Sequence, residues 1–393
     1  MGSRKCFCVL LLLSALAIVC KAQPKVFDIT KYGAKSDGST DNTQALLDAW
    51  KETCATTGSS KLIVPKGTYF LGSVEMKGPC KGSVEFELQG TLKAPKEPKD
   101  HKDPNNWVTF SYLDNFSLYG GGTFDGQGEM AWGVNNCAKT KDCKILPISL
   151  RFDYITNGEI RDITSLDSKY FHVNVLGCKN VTFQHFTVTA PKVSPNTDGI
   201  HIGRSNGVTI IDSDISTGDD CISLGDGSQQ VHITNVTCGP GHGISVGSLG
   251  KYKNEEPVSG IFVKNCTLVD TENGVRIKSW PAMFANTASD MHFEDILMKE
   301  VSNPVLIDQV YCPWNQCNPK MPSKVKISNV SFKNIRGTST TALAVQLNCS
   351  SGIPCEDVEL EGIDLTYKGP EGPVKSACAN VKPKITGKLS PAV

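Results

Sequence analysis

Four segments in the middle of the chain place acidic, histidine and basic residues at regular positions. They read DGIHIG (198–203), DCISLG (220–225), HGISVG (242–247) and NGVRIK (273–278), and the offsets between them are 22, 22 and 31 residues. Each follows the pattern polar, small, apolar, any, apolar, then glycine or lysine. Asp219 precedes the second segment, so two carboxylates are adjacent. A carboxylic acid beside a carboxylate base is the pair of groups that glycosidic bond hydrolysis requires.

The four segments predict columns of side chains if the chain coils regularly. In stacked parallel strands, equivalent residues lie about 4.8 Å apart. The first column would contain Asp198, Asp220, His242 and Asn273, and the second His201, Ser223, Ser245 and Arg276. Lys278 would lie in a third column with Gly203, Gly225 and Gly247, whose small size leaves an open groove.

A second repeated phrase indicates the elements that position these columns. Alternating apolar and polar residues recur around Val181, Val208, Val231, Ile261, Met291, Val325 and Val358, at intervals of 27, 23, 30, 30, 34 and 33 residues. Short strands at this period, without helices between them, predict an all-β fold, a single-stranded right-handed parallel β-helix. An antiparallel sandwich would show hairpin turns every 8 to 12 residues. One helical pattern, residues 42–54, predicts a short helix that caps the N-terminal end.

Winding the chain in this way would gather Asp198, Asp219 and Asp220, with His242 one coil away and Arg276 and Lys278 on the far rim. Like charges this close cannot all ionise freely, so at least one pKa should rise. Aspartates beside glycine are also common in turns. A Ca²⁺ site is a second alternative, which the adjacent cations oppose. His201 is either a hydrogen-bonded structural histidine or a substrate contact.

The N-terminus, MGSRKCFCVLLLLSALAIVCKA, predicts a secretory signal peptide over residues 1–22, followed by one domain over residues 23–393. Cleavage removes three of the 40 basic residues and no acidic one, which leaves 37 against 40. That balance gives no reason to expect a nucleic acid partner. Hydrophobic residues at 39% and charged residues at 20% are typical of a soluble globular protein, and no membrane attachment is expected after cleavage.

The cysteines predict disulfides rather than zinc. Of 16, three leave with the signal, and the remaining 13 would enter an oxidising compartment with at least one unpaired. Close spacing suggests the pairs Cys54–Cys80, Cys137–Cys143, Cys221–Cys238, Cys312–Cys317 and Cys349–Cys355. Candidate glycosylation sequons lie at Asn115, Asn180, Asn235, Asn265, Asn329 and Asn348.

Four motifs, NTDG (196–199), GDD (218–220), GHG (241–243) and RIK (276–278), together resemble the polygalacturonases, which are pectin-degrading glycoside hydrolases. The resemblance covers nearly the whole mature chain and is strongest to the plant, pollen-type exopolygalacturonases. It implies hydrolysis of α-1,4 links between galacturonic acid units, with inversion and without a metal or other cofactor. Ser279 stands where the family usually has threonine.

Carried over by position, the resemblance makes Asp219 the general acid and Asp198 and Asp220 the pair that activates water. His242 would support the acid. The residues that it implies or suggests for substrate contact are Arg276, Lys278, Tyr311, Asn196 and His201. We therefore expect a secreted, monomeric cell-wall enzyme that acts on pectin. Endo cleavage, a Ca²⁺-dependent pectate lyase and a non-catalytic wall-binding protein are the alternatives.

Overall fold

The protein is a right-handed parallel β-helix, as the repeated strand phrase predicts. The computed structural model describes residues 23–137, 140, 143–313, 317, 318 and 320–393, so the expected signal peptide lies outside the described residues. Each turn of the helix contributes one strand to a smaller sheet and one bent strand, or two short ones, to a larger sheet. Neighbouring strands in both sheets pair in parallel.

The strand bounds follow the chain in order within each sheet. Across the described residues the smaller sheet comprises Val74–Lys77, Asn106–Ser111, Ile148–Asp153, Val173–Leu176, Ile200–Gly203, Ile222–Leu224, Ile244–Leu249, Asn273–Ser279, Asn303–Asp308, Leu343–Asn348 and Lys375–Ala379. The larger sheet comprises Lys25–Asp28, Asp37–Asp41, Ser60–Val64, Thr68–Phe70, Val84–Leu88, Thr91–Lys93, Asp114–Tyr119, Thr123–Asp125, Thr156–Arg161, Thr164–Leu166, Lys179–Gln184, Thr187–Thr189, Asn206–Ser216, Gln229–Cys238, Val258–Lys264, Thr267–Val269, Asn286–Val301, Val325–Ser339, Glu356–Glu361, Asp364–Tyr367 and Lys384–Thr386.

The larger sheet bends in each turn at a residue with a left-handed backbone. In consecutive turns φ is 55° at Asp162, 48° at His185, 50° at Asp212, 56° at Asn235, 54° at Asn265, 55° at Asp295 and 53° at Asn334. Asparagine and aspartate tolerate this conformation better than other side chains that carry a Cβ. The bend directs the chain back toward the smaller sheet and closes the coil.

The interior is a stack of apolar side chains that stay in register from turn to turn. Val181 pairs with Val208, Val208 with Val231, Val231 with Ile261 and Ile261 with Met291, as the sequence comparison predicts. All five side chains are buried. Stacked strands of this kind hold each outer-face residue at a fixed height along the axis.

The prediction for the next turn was wrong by five residues. Met291 pairs with Val330, which in turn pairs with Val358, whereas Val325 pairs with Asn286. Val325 and Val330 are both buried, because left-handed Asn329 (φ 53°) interrupts the alternation along their strand. An apolar pattern alone therefore fits either alignment.

Helix α1 (Thr43–Ala55) confirms the predicted N-terminal helix, with its bounds shifted by one residue. Its buried side chains Leu46, Ala49 and Trp50 belong to the same core as the first coils. The described residues also include a second helix, α2 (Glu129–Trp132), and two 3₁₀ helices, Ile29–Tyr32 and Pro98–Asp100. Within that part of the chain, no helix has the length and apolarity needed to cross a membrane.

All five suggested disulfides are confirmed: Cys54–Cys80, Cys137–Cys143, Cys221–Cys238, Cys312–Cys317 and Cys349–Cys355. Among the described cysteines, Cys178, Cys266 and Cys378 carry free thiols. Of the sequon asparagines, Asn115, Asn180, Asn235, Asn265 and Asn329 are exposed and have a left-handed backbone, and Asn348 is half-buried in a strand.

Candidate active site

The outer face of the smaller sheet carries the predicted second column of polar residues. His201 pairs with Ser223, Ser223 with Ser245, and Ser245 with Arg276. Turns that enter these strands bring the carboxylates to the same face. The site thus combines residues from strands, whose height is fixed by the ladder, with residues from turns.

Asp220 is held by two cations. Its Oδ1 accepts hydrogen bonds from Arg276 Nη2 (2.8 Å) and Ser245 Oγ (2.8 Å), and its Oδ2 accepts one from Lys278 Nζ (2.7 Å). Burial alone would raise the pKa of Asp220, but Lys278 and Arg276 hold this pKa well below its usual range. Asp220 is therefore an anion, and the cations expected on the far rim lie against it.

Asp198 is the carboxylate that keeps a proton. Its side chain is buried, and its Oδ2 accepts a hydrogen bond from Ser223 Oγ (2.9 Å). Burial, followed by the negative charges of Asp219 and Asp220, raises the pKa of Asp198 well above its usual value. The ligand-free site thus contains one protonated acid beside one firmly ionised carboxylate.

Asp219 contacts polar groups that belong to turns. Its Oδ1 accepts a hydrogen bond from the backbone N of Asp220 (2.8 Å) and lies 3.0 Å from His242 Nδ1. Asn196 Nδ2 lies 3.4 Å from Asp219 Oδ2, while Asn196 Oδ1 has no partner. His242 Nε2 lies 3.3 Å from Glu272 Oε2. Burial alone would lower the pKa of His242, but Asp219, then the charges of Asp220 and Glu272, raise it to about 9.

His201 is a packed, neutral histidine. Its Nδ1 lies 2.7 Å from Ser223 Oγ, and its ring lies 5.2 Å from that of Phe171. Burial, followed by the positive charge of Lys278, lowers the pKa of His201 to about 4. The structure places this ring in the same column as the serines, where it supports Ser223.

Tyr311 lies at the cationic end of the site. Its ring centroid is 5.3 Å from Lys278 Nζ and 6.0 Å from Arg276 Cζ, and the ring makes an edge contact with Trp280 at 6.0 Å. Burial raises the pKa of Tyr311, so the phenol stays neutral. An aromatic face beside two cations suits a ligand with both a ring and a negative charge.

Glycines form the floor of the groove on the Lys278 side. Gly203, Gly225 and Gly247 each come directly after residues that pair in register, Ile202 with Leu224 and Leu224 with Val246, so they continue one column. A Cβ at Gly203 would have no neighbour closer than 3.8 Å, so this part of the floor is open. The room that the sequence predicts is therefore found at Gly203, whereas a Cβ at Gly247 would collide with the backbone carbonyl of Lys278.

The charges favour an anion over a metal ion. Potential ligand atoms of Asp219, Asp220 and His242 lie within 4.8 Å of one another, the one such group among the described residues. However, both oxygens of Asp220 already accept hydrogen bonds from Arg276 and Lys278. Two fixed positive charges at this distance oppose a cation and attract a carboxylate.

Sequence reasoning brought together the aspartates, His242, Arg276, Lys278 and Tyr311, but it missed three contacts. Ser223 and Ser245 were placed in the correct column without a role, although each donates to a carboxylate of the preceding coil. Glu272 was not identified at all. It immediately precedes the NGVRIK segment, and a carboxylate one coil beyond a histidine was the available signal.

Comparisons with known proteins agree with this geometry. The sequence profile described as "Glycosyl hydrolases family 28" matches residues 54–389. A polygalacturonase of Gossypium barbadense is 55% identical over 372 residues, which cover 94% of this chain and 91% of the relative. An exopolygalacturonase of Oenothera organensis is 57% identical over 354 residues, which cover 90% and 98%.

A solved structure shares the fold. The crystal structure of endo-xylogalacturonan hydrolase from Aspergillus tubingensis superimposes with a TM-score of 0.81 at 24% identity, and the match covers 93% of this chain and 99% of that one. At this identity the likeness concerns the fold alone. The profile match and the two plant relatives establish the family: the chain belongs to the glycosyl hydrolases of family 28.

Proposed function

We propose that the protein hydrolyses the α-1,4 links between galacturonic acid units of polygalacturonate. The observation that carries this proposal is the cluster of three carboxylates beside two cations on one face of the sheet. The plant relatives, which are named polygalacturonase and exopolygalacturonase, support the substrate class. Cleavage of a glycosidic bond requires carboxylic acid groups, and binding of a uronate carboxylate is favoured by cations.

Arg276 and Lys278 bind the substrate carboxylate, and Tyr311 packs against the sugar ring. A guanidinium has five N–H donors. Arg276 donates from Nε to Ser245 Oγ and from Nη2 to Asp220 Oδ1. Its remaining N–H groups can still donate to a ligand. Asn196 Oδ1, a buried acceptor without a partner, is available to a sugar hydroxyl. His201 contributes indirectly, by holding Ser223.

Asp219 donates a proton to the leaving oxygen, while Asp198 and Asp220 activate the attacking water. The three acids interact strongly and therefore titrate as a group. In the ligand-free site the shared proton is on Asp198, and we infer that it reaches Asp219 once the substrate is bound. His242 keeps Asp219 oriented through the 3.0 Å contact. Displacement by water on the opposite face inverts the anomeric carbon.

Exo action from the non-reducing end is the finer part of the proposal. The relatives named exopolygalacturonase support it. The segment that contains α2 also supports it: Asn135 Nδ2 donates to Pro195 O (3.1 Å), and Trp132 Nε1 donates to Ser168 O (2.9 Å). These bonds fix the segment against the turns beside the acids, where it would narrow one end of the groove.

Residues 1–22 act as a signal peptide and residues 23–393 form the mature, secreted, monomeric enzyme of the cell wall in this proposal. The five disulfides support an oxidising compartment. Amino-terminal sequencing of the secreted protein tests the cleavage site. A first residue other than Gln23 would contradict the boundary.

Chromatography of the early products from polygalacturonate tests the function. Monomer alone supports exo hydrolysis, and a ladder of oligomers supports endo hydrolysis. Unsaturated products that absorb ultraviolet light would instead identify a lyase, provided that EDTA prevents their formation. Binding to pectin without any release of reducing sugar would identify a wall-binding protein and overturn the proposal.

A further inference from the structure

His242 lies between two carboxylates that come from different coils. Its Nδ1 is 3.0 Å from Asp219 Oδ1, and its Nε2 is 3.3 Å from Glu272 Oε2. A neutral imidazole has one N–H donor, whereas the protonated ring has two. When both carboxylates are ionised, the two contacts are therefore satisfied together only by the imidazolium form.

The position of Glu272 follows from the backbone of the coil and does not depend on a flexible loop. Glu272 N donates to Gly241 O (2.8 Å), just as His242 N donates to Asp219 O (2.7 Å) in the coil before. The other side of Glu272 is fixed by Asn303 N, which donates to Glu272 O (2.9 Å). The same ladder thus places Glu272 one turn beyond His242.

The glycine between these turns lets them approach. Gly241 has φ +146°, and a Cβ there would lie 2.6 Å from Asp219 O. A side chain at this position would push apart the turns that carry Asp219 and His242. The glycine therefore preserves the close spacing of the Asp219, His242 and Glu272 side chains.

Other charges near His242 already have partners. A cavity of about 290 Å³ beside the ring is also lined by Lys192, Asp270 and Glu300. Lys192 Nζ donates to Asp270 Oδ1 (2.8 Å), and Glu300 Oε1 accepts from Thr338 Oγ1 (2.8 Å).

On the groove side, the charge of Asp220 faces His242 but is shared with Arg276 and Lys278. Among the described residues, Glu272 is the carboxylate that contacts His242 Nε2.

We propose that Glu272 is a positioning residue that keeps His242 in its doubly protonated form, so that His242 continues to donate to Asp219 as the pH rises. Its effect on activity rests on the role proposed for Asp219, but its effect on His242 does not. The pKa of His242 is raised to about 9 by Asp219 first, then by Asp220, with Glu272 adding a smaller contribution. Because the Glu272 side chain is 58% exposed, its contribution should be modest and weakened by salt.

Two readouts on Glu272→Gln test the proposal. NMR of ¹³C-labelled histidine, with the His242 signal assigned from a His242→Gln sample, reports the titration of the ring directly. We expect its midpoint to fall by about half a pH unit. The alkaline limb of kcat/KM on polygalacturonate should move down by a similar amount, with activity at acidic pH within about twofold of wild type.

Glu300→Gln is the matched control, because it removes a carboxylate of the same cavity that does not contact the ring. Glu272→Asp, which keeps the charge on a shorter side chain, should restore part of the shift. An unchanged His242 midpoint in Glu272→Gln, or an equal shift in Glu300→Gln, would overturn the proposal. If wild type itself releases no galacturonate, the proposed function fails, and the NMR titration still decides the role of Glu272.

Discussion

Two charged clusters lie on the outer face of the smaller sheet, three strands apart, and only one has the features of an active site. Arg151 lies in the same column as His201, through Asn174, and its Nε donates to both oxygens of Asp153 (2.9 and 2.7 Å). A cleft of about 670 Å³ lies beside this pair. Arg151 and Asp153 come from one strand, two residues apart, and simply neutralise each other.

The difference lies in the turns and in the number of cations. Burial raises the pKa of Asp153, and Arg151 only partly offsets this. At Asp220, by contrast, Lys278 and Arg276 together reverse the effect of burial. A regular ladder can place an ion pair anywhere along the sheet, whereas an unequal distribution of protons requires several carboxylates supplied by neighbouring turns.

The largest contrast between the clusters should appear when one carboxylate in each is neutralised. Asp219→Asn removes the proton donor and should lower kcat on polygalacturonate by about 10²- to 10⁴-fold. Asp153→Asn should leave kcat within about twofold, because Asp153 lies outside the catalytic group. Reducing-sugar assays measure both, with circular dichroism as the check on folding. Activity of Asp219→Asn within tenfold of wild type would refute its assignment.

Removing one cation from each cluster should separate binding from packing. Lys278→Met should raise KM about tenfold, because a charged hydrogen bond to the substrate carboxylate is lost. It should also lower Tm, since Asp220 keeps only one cationic partner. Arg151→Met should leave KM for the same substrate, polygalacturonate, unchanged. Equal KM values for wild type and Lys278→Met would show that Lys278 does not bind substrate.

The two buried acids of the active cluster should affect stability with opposite signs. The pKa of Asp198 is raised on folding, so the folded state is favoured at low pH and loses this contribution as the pH rises above about 4. Asp198→Asn should therefore increase stability at pH 7 by about 1–2 kcal/mol, with no gain at pH 4.

Asp220 provides the opposite case. Its pKa is lowered on folding, so its stabilisation is present above about pH 4 and is lost as the pH falls further. Asp220→Asn should accordingly lower the free energy of unfolding at pH 7. Urea denaturation of both variants at the two pH values measures these changes. A gain from Asp198→Asn that is equal at both pH values would contradict the shared-proton description.

The smallest effect is expected from a substitution at Gly203, in the glycine floor that lies between the two clusters. Gly203 continues the column of Asp153 through Leu176, and a Cβ fits there without a close contact. Gly203→Ala should raise KM about two- to threefold by narrowing the groove, while Tm stays equal or rises slightly. A fall in Tm would mean that the floor is more tightly packed than the structure indicates.

The repeated phrases were sufficient to predict the columns because an ordered ladder converts sequence spacing directly into distance. They failed at Val325, where alternation fits two registers, and they could not reveal that Arg276 and Lys278 lie against Asp220. Side-chain direction depends on local rotamers and on competing partners, which a linear pattern does not contain. For the same reason, the sequence indicated that one acid would keep its proton without indicating that this acid is Asp198.

The glycine floor has a further consequence. The acids are attached to turns that enter the strands, whereas Gly203 lies at the end of the strand Ile200–Gly203 and Gly225 directly follows the strand Ile222–Leu224, so the two sets occupy separate parts of each coil. A mutation that adds a methyl or hydroxymethyl group at Gly203 would alter which sugars can enter without displacing the groups that cleave them. In such an architecture, substrate range and reaction chemistry can diverge independently during evolution.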